Sequence, residues 1–213
     1  MNRNMPIPAT TEDPKIISEK FLAFAHFYLE THPANEISDP YSPEYYFTLL
    51  LEKGLEAREA GNYGIAACLS IVVSSTEFIF FGANGLVTEN NPHGHAEMYA
   101  VQTARNFFDE LHSLDSDRQA VTDMITNHQN QGHMMIRPAS PERTDTLRLY
   151  TTLEPFTQCT VGSVINAHAD KVIVAQEDAF AGQLHPDRLA NLAPLWFQMY
   201  QQQGTETIFC QSE

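Results

Sequence analysis

Leu149-Tyr150-Thr151-Thr152-Leu153-Glu154-Pro155-Phe156-Thr157-Gln158-Cys159 changes character halfway along. Its aliphatic, aromatic and β-branched first half predicts a strand over residues 147–153. Pro155 then breaks the strand, and Cys159 opens a predicted helix that runs to Ala169. The next run, Lys171-Val172-Ile173-Val174-Ala175, predicts another strand, followed by a helix over 189–203 and a last short strand over 205–209. Strands alternating with helices imply parallel pairing with the helices packed on the sheet, so the class is α/β.

Upstream, two β-branched and aromatic runs, 65–73 and 77–81, are split by Ser74-Ser75-Thr76 and predict a hairpin. An Asn- and Gly-rich loop from Gly82 to Gly94 leads into a helix predicted over 95–111, whose buried face carries Met98, Val101, Ala104, Phe108 and Leu111. Nearer the N-terminus, Asp13-Pro14 caps a helix that runs to about Glu30 with an apolar stripe at Ile16, Ile17, Phe21, Phe24, Phe27 and Tyr28. A second helix follows Ser42-Pro43-Glu44 and ends at Gly61, a residue suited to a left-handed cap. The first dozen residues read as a frayed tail. Residues 115–146 are polar, with a short helix over 120–128 and a loop at Pro138 and Pro141, and read as an insertion. The length of 213 residues fits one domain: a helical extension over 1–62, a core over 63–182, and a helix and tail over 183–213.

Composition narrows the function classes. Hydrophobic residues make up 43% and charged residues 18%, a globular balance. A net charge of -15 repels a phosphate backbone and argues against long nucleic acid as a partner. Only Arg137, Arg143 and Arg148 gather locally, and Glu142 and Asp145 lie among them. Cys68, Cys159 and Cys210 are odd in number and widely spaced, which excludes a disulfide framework and fits a reducing, cytoplasmic setting. No run approaches the ~20 apolar residues of a membrane span, so no membrane partner is expected.

Two segments carry the chemistry: Asn91-Pro92-His93-Gly94-His95-Ala96-Glu97, and Thr151-Thr152-Leu153-Glu154-Pro155-Phe156-Thr157-Gln158-Cys159. Each lies where a helix is predicted to begin. Together they resemble the zinc deaminase signature, His-x-Glu followed by Pro-Cys-x-x-Cys. The order of hairpin, motif helices and following strand is similar to that of the cytidine and deoxycytidylate deaminase superfamily, above all its tRNA-adenosine and guanine deaminase branch, from about Tyr63 to Gly182. The resemblance implies a cytidine-deaminase-like three-layer α/β/α sandwich with a mixed sheet. It further implies zinc as cofactor, a small nucleobase or nucleoside as substrate, and a homodimer. The implied activity is hydrolytic deamination of a nucleobase, nucleoside or nucleotide. His95 and Cys159 would be zinc ligands, Glu97 the catalytic proton carrier, and Asn84 a contact to the substrate.

Phe156 departs from the pattern. It stands where the family places the first cysteine of Pro-Cys-x-x-Cys, and a phenyl ring binds no zinc. Three explanations stand side by side: His93 or Cys68 completes the ligand set; Phe156 plugs the space in a catalytically inactive deaminase-fold binding or partner subunit; or Phe156 is an isolated change in a working deaminase. An editing subunit that borrows its RNA surface from a basic partner is a weaker reading. Taken singly, His95 is an ordinary capping histidine, Glu97 a first-turn glutamate, Cys159 a small buried residue and Asn84 a turn residue. Their combination is what points to a site.

Overall fold

The apolar run Ala66–Val73 and its partner Thr76–Ala83 pair as an antiparallel hairpin, β1 and β2, closed by a turn in which Ser74 takes a φ of 59°. The computed structural model describes residues 14–114, 117–178 and 181–210, apart from the side chains of residues 14–21 and 24. The predicted frayed tail, the Asp13 cap and the stripe residues Ile16, Ile17, Phe21 and Phe24 lie outside that description.

The first five residues of β1 are all buried, as expected of a strand covered on both faces. Around it the sheet runs β3-β2-β1-β4-β5-β6, with β3 Met134–Pro138, β4 Leu147–Leu153, β5 Lys171–Gln176 and β6 Glu206–Phe209. Pairings from β3 to β4 are antiparallel, and β4-β5 and β5-β6 are parallel. The result is the mixed sheet of an α/β fold.

Helices cover both faces, giving three layers. On one face α2 (Pro43–Glu59), with α1 (Pro14–Thr31) beside it, packs Tyr46 and Leu50 onto Cys68, Ile79, Tyr150 and Ile173. Ser42 caps α2 by accepting from the Tyr45 amide, and Gly61 takes the left-handed conformation just past its end. On the other face α3 (Ala96–Ser113) lays Ala100, Ala104 and Phe107 against Leu69, Phe80 and Leu149. Beside α3 lie α4 (Arg118–Asn130) and the helical segment α5 (residues 157–165), and α7 (Pro194–Gln203) packs on α5. Of the predicted N-terminal stripe, Phe27 is 61% exposed, and Tyr28 stacks on His32.

Three expectations are revised. Residues 115–146 are not a simple insertion: they supply α4 and the edge strand β3, whose Met124 and Met134 enter the core. Pro138 closes β3 at the sheet edge, where a missing amide donor is tolerated. The helix after Pro155 is one α turn, Thr157–Cys159, that widens into a π-helix over Thr160–Ile165, and the two together are α5. The predicted C-terminal helix is two pieces, α6 (Pro186–Leu189) and α7, because Pro194 starts a new helix rather than continuing the old one.

The three gathered arginines form no open basic patch. Glu77, 1% exposed on β2, accepts from the Tyr46 hydroxyl at 2.6 Å, Arg137 Nε at 2.6 Å and Arg143 Nη1 at 2.5 Å, and also from Ser70. Arg148 grips Asp145 with two bonds, at 2.7 and 2.8 Å. Burial alone would raise the Glu77 pKa, but the hydrogen bonds from Ser70, Tyr46 and Arg137 outweigh it and hold the carboxyl below its ordinary value.

Candidate functional site

The C-terminal ends of β2 and β4 flank the start of β1, with Ala66 opposite Ala83 and Ala67 opposite Thr151. Ligands of open α/β sheets gather at such strand ends. The N-termini of α3 and α5 arrive at this same edge. Gly82 permits it, since a Cβ there would stand 2.1 Å from the Ala96 carbonyl oxygen, so only glycine lets the first turn of α3 sit on β2. His95 is the extended residue before α3, Glu97 lies in its first turn, Phe156 takes the corresponding place before α5, and Cys159 ends that helix's single α turn.

These two starts bring an imidazole nitrogen of His95, a carboxylate oxygen of Glu97 and the Cys159 sulfur within 4.8 Å of one another. Glu97, 4% exposed, hydrogen-bonds the Cys159 thiol, and the Thr151 hydroxyl stands 3.2 Å from its Oε1. Burial raises the Glu97 pKa, and hydrogen bonds from its own backbone, Cys159 and Thr151 only partly oppose that. Burial, then the Glu97 charge, pushes the Cys159 thiol strongly up. Burial and the neighbouring His93 lower His95. All three groups therefore favour their neutral forms when nothing cationic lies between them.

A cavity of about 460 Å³ opens over this group, lined by Tyr63, Ile65, Asn84, Leu86 and Phe156 together with His95 and Glu97. Asn84 follows directly on β2 and is 2% exposed. Its Oδ1 accepts from the Leu86 amide at 3.2 Å, while its Nδ2 has no hydrogen-bond partner among the described residues. A buried amide without a partner costs about 1–3 kcal/mol unless a ligand supplies an acceptor. The Phe156 ring stands edge-on to His95, centroids 5.5 Å apart.

Neither substitute ligand named from the sequence joins the group. His93 is exposed, outside the three-donor cluster. Cys68 is fully buried against α2, on the opposite face of the sheet. Cys210 also lies toward that face.

Two residues that shape the cavity carry no signature in the sequence. Asn62, just after α2, accepts from the Val87 and Thr88 amides at 3.0 Å each and donates to the Thr88 hydroxyl at 2.8 Å, pinning the loop over residues 84–94. Glu154, 1% exposed, accepts from the amides of Asp178 and His185 and from Arg188 Nη2, at 3.1, 2.7 and 2.6 Å. It ties the segment after β5 to the cavity wall, and Gly182 leaves room for it: a Cβ there would meet Glu154 Oε2 at 2.2 Å. Asn62 reads as a turn residue after a glycine and Glu154 as one letter of the motif. Their partners lie 24 to 34 residues away, beyond any local pattern.

The donor set suits zinc in kind. Imidazole, thiolate and carboxylate are the side chains this ion takes, and it replaces the protons that burial otherwise holds on Cys159 and Glu97. Phe156 contributes no donor.

No protein-family model and no curated protein sequence matches the chain. Among solved structures, a chain from studies of A-to-I editing by tRNA:A34 deaminases at the wobble position of transfer RNA is similar at a TM-score of 0.43 and 18% identity, covering 78% of this chain and 97% of its own. NE0047 in complex with 2,6-diaminopurine is similar at 0.46 and 16%, covering 79% and 74%. A mutant of NE0047 in complex with 8-azaguanine is similar at 0.47 and 16%, covering 79% and 76%. Likeness at this level leaves the functional reading to the geometry of the site.

Proposed function

We propose that this chain is a hydrolytic deaminase of a free nucleobase, nucleoside or nucleotide, with zinc held by His95 and Cys159. The observation that carries the reading is the meeting of His95, Glu97 and Cys159 beneath a cavity whose wall includes the unpartnered amide of buried Asn84. Zinc bound there would lower the pKa of a water toward ~7 and so supply hydroxide at neutral pH.

The chain's own residues account for the rest. A cavity of about 460 Å³ has the size of small-molecule sites. Asn84 Nδ2 donates to an acceptor on the base or sugar, relieving its unpaired state. Leu86, Ile65 and Phe156 supply apolar surface for a flat ring and exclude water from the reacting face. Glu97, with its pKa raised by burial, takes the proton released when water adds to the amino-bearing carbon and passes it to the ring nitrogen. It then moves the proton of the newly added hydroxyl to the amine as the carbon–nitrogen bond breaks, so that the oxygen becomes a carbonyl and ammonia leaves. The net charge of -15 favours small substrates over long nucleic acid.

Phe156 supports a second reading, a binding or partner subunit of the same architecture that has lost turnover. One experiment separates the two. Purified chain, analysed for zinc and incubated with aminopyrimidines and aminopurines as bases, nucleosides and nucleotides, releases ammonia on the first reading, and Glu97→Gln lowers the rate by about 10²–10⁴-fold. Base binding without ammonia release from any of them supports the second.

A further inference from the structure

We infer that Glu97 is itself a protein ligand of the zinc proposed above, standing in for the sulfur that Phe156 displaces. The inference rests on that zinc reading and concerns only which side chains complete the site.

Coordination number makes the first argument. A catalytic zinc takes three protein ligands and keeps one open position. His95 and Cys159 supply two. Among the described residues Glu97 is the one further His, Cys, Asp or Glu side chain that joins them, since His93 stays outside the group and Cys68 lies across the sheet. Donor atoms around a tetrahedral zinc with bonds of 2.0–2.3 Å are about 3.5 Å apart. The 4.8 Å limit on the three donors here therefore requires a contraction of at most about 1.3 Å, within the reach of side-chain torsions.

Charge makes the second. Before its water ionises, a dication with one thiolate and a neutral imidazole leaves one net positive charge in a cavity whose walls include Ile65, Leu86, Leu153 and Phe156. Burying such a charge without compensation is costly. Glu97 as a carboxylate ligand brings the core to neutrality.

A carboxylate that binds the metal through one oxygen keeps lone pairs on the other, and through that oxygen Glu97 carries the proton transfers assigned to it. Phe156 is thereby a specificity-determining residue for the site's coordination: a sulfur at that position would release Glu97 to proton transfer alone.

The test is a double-mutant cycle on the full chain, read by zinc(II) affinity in competition with a chelator and by the absorption of cobalt(II) in place of zinc. Loss of an outer partner of a metal site costs about 10–100-fold in affinity. Glu97→Gln, close in shape to the native side chain, is expected to weaken zinc by more than that in the native background. Beside Phe156→Cys the same change is expected to weaken zinc at least ten-fold less, and Phe156→Cys is expected to strengthen the thiolate-to-cobalt charge-transfer band. Circular dichroism of each variant guards against unfolding, and Cys159→Ser serves as the reference for a true ligand loss. Native-like zinc affinity in Glu97→Gln overturns the inference and leaves the deaminase reading standing. A folded native chain that binds no zinc overturns both.

Discussion

His95, Glu97 and Cys159 are legible in the sequence because their side-chain types carry chemistry that few other combinations share, and the structure brings their donor atoms within 4.8 Å. Asn84 is less so: beside Gly85 it reads as a turn residue, and only its burial and unpaired amide set it apart. On the proposed reading, replacing it with alanine removes one hydrogen bond to the ligand, and base affinity measured by calorimetry is expected to fall by about 1–3 kcal/mol, roughly 5- to 150-fold. Glu97 allows a second test at this scale, without metal. Its folded pKa is raised, so its contribution to stability is fully present below the unfolded value of about 4.3 and is lost as pH rises through the folded one. Glu97→Gln is accordingly expected to raise the urea midpoint of metal-free protein at pH 8 and to leave it unchanged at pH 4. His95 acts in the opposite sense, because its lowered pKa favours the neutral ring: its contribution is present above about pH 6.5 and is lost as pH falls through the folded value.

Among the elements, the hairpin, α2, α3, β4 and β5 follow from periodicity and punctuation, and all stand within a few residues of their predicted limits. β3 escapes because it is five residues long, ends in Pro138 and follows a polar helix, so only its pairing with β2 defines it. The widening of α5 into a π-helix is equally hidden. Gly162 faces the Met98 sulfur, where a Cβ would come within 2.6 Å, a tertiary fit that local propensity does not encode. The loop between β2 and α3 depends on one distant side chain. Asn62→Ala removes its three hydrogen bonds to Val87 and Thr88 and is expected to speed amide exchange over residues 84–94 while the exchange of β1 and β4 is unchanged, a local destabilisation of about 1–3 kcal/mol.

Across the whole molecule, the α/β class is readable from the alternation of strands and helices and the three layers are implied by the motif resemblance, whereas the ionic tie at the far edge is not readable. Glu77, Arg137 and Arg143 stand at sequence separations of 60 and 66, and nothing local pairs them. Glu77→Gln leaves two guanidinium groups short of a carboxylate and is expected to cost about 3–5 kcal/mol in urea unfolding at pH 7. The lowered Glu77 pKa gives the sign of its pH dependence: the contribution is present above the unfolded value and is lost as pH falls through the folded one, so the penalty of the substitution shrinks in acid. No described helix is long and apolar enough to cross a membrane.

Strand β2 thus carries an anchored end and an expectant one. At Glu77 every oxygen is committed, and at Asn84, seven positions on, a buried donor waits for an acceptor. A small molecule that satisfies it would quench motion from one side only, so deuterium uptake should slow near Asn84 and Leu86 while Thr76 to Phe78 keeps its rhythm. The gradient along a single strand would then report occupancy before any product is sought.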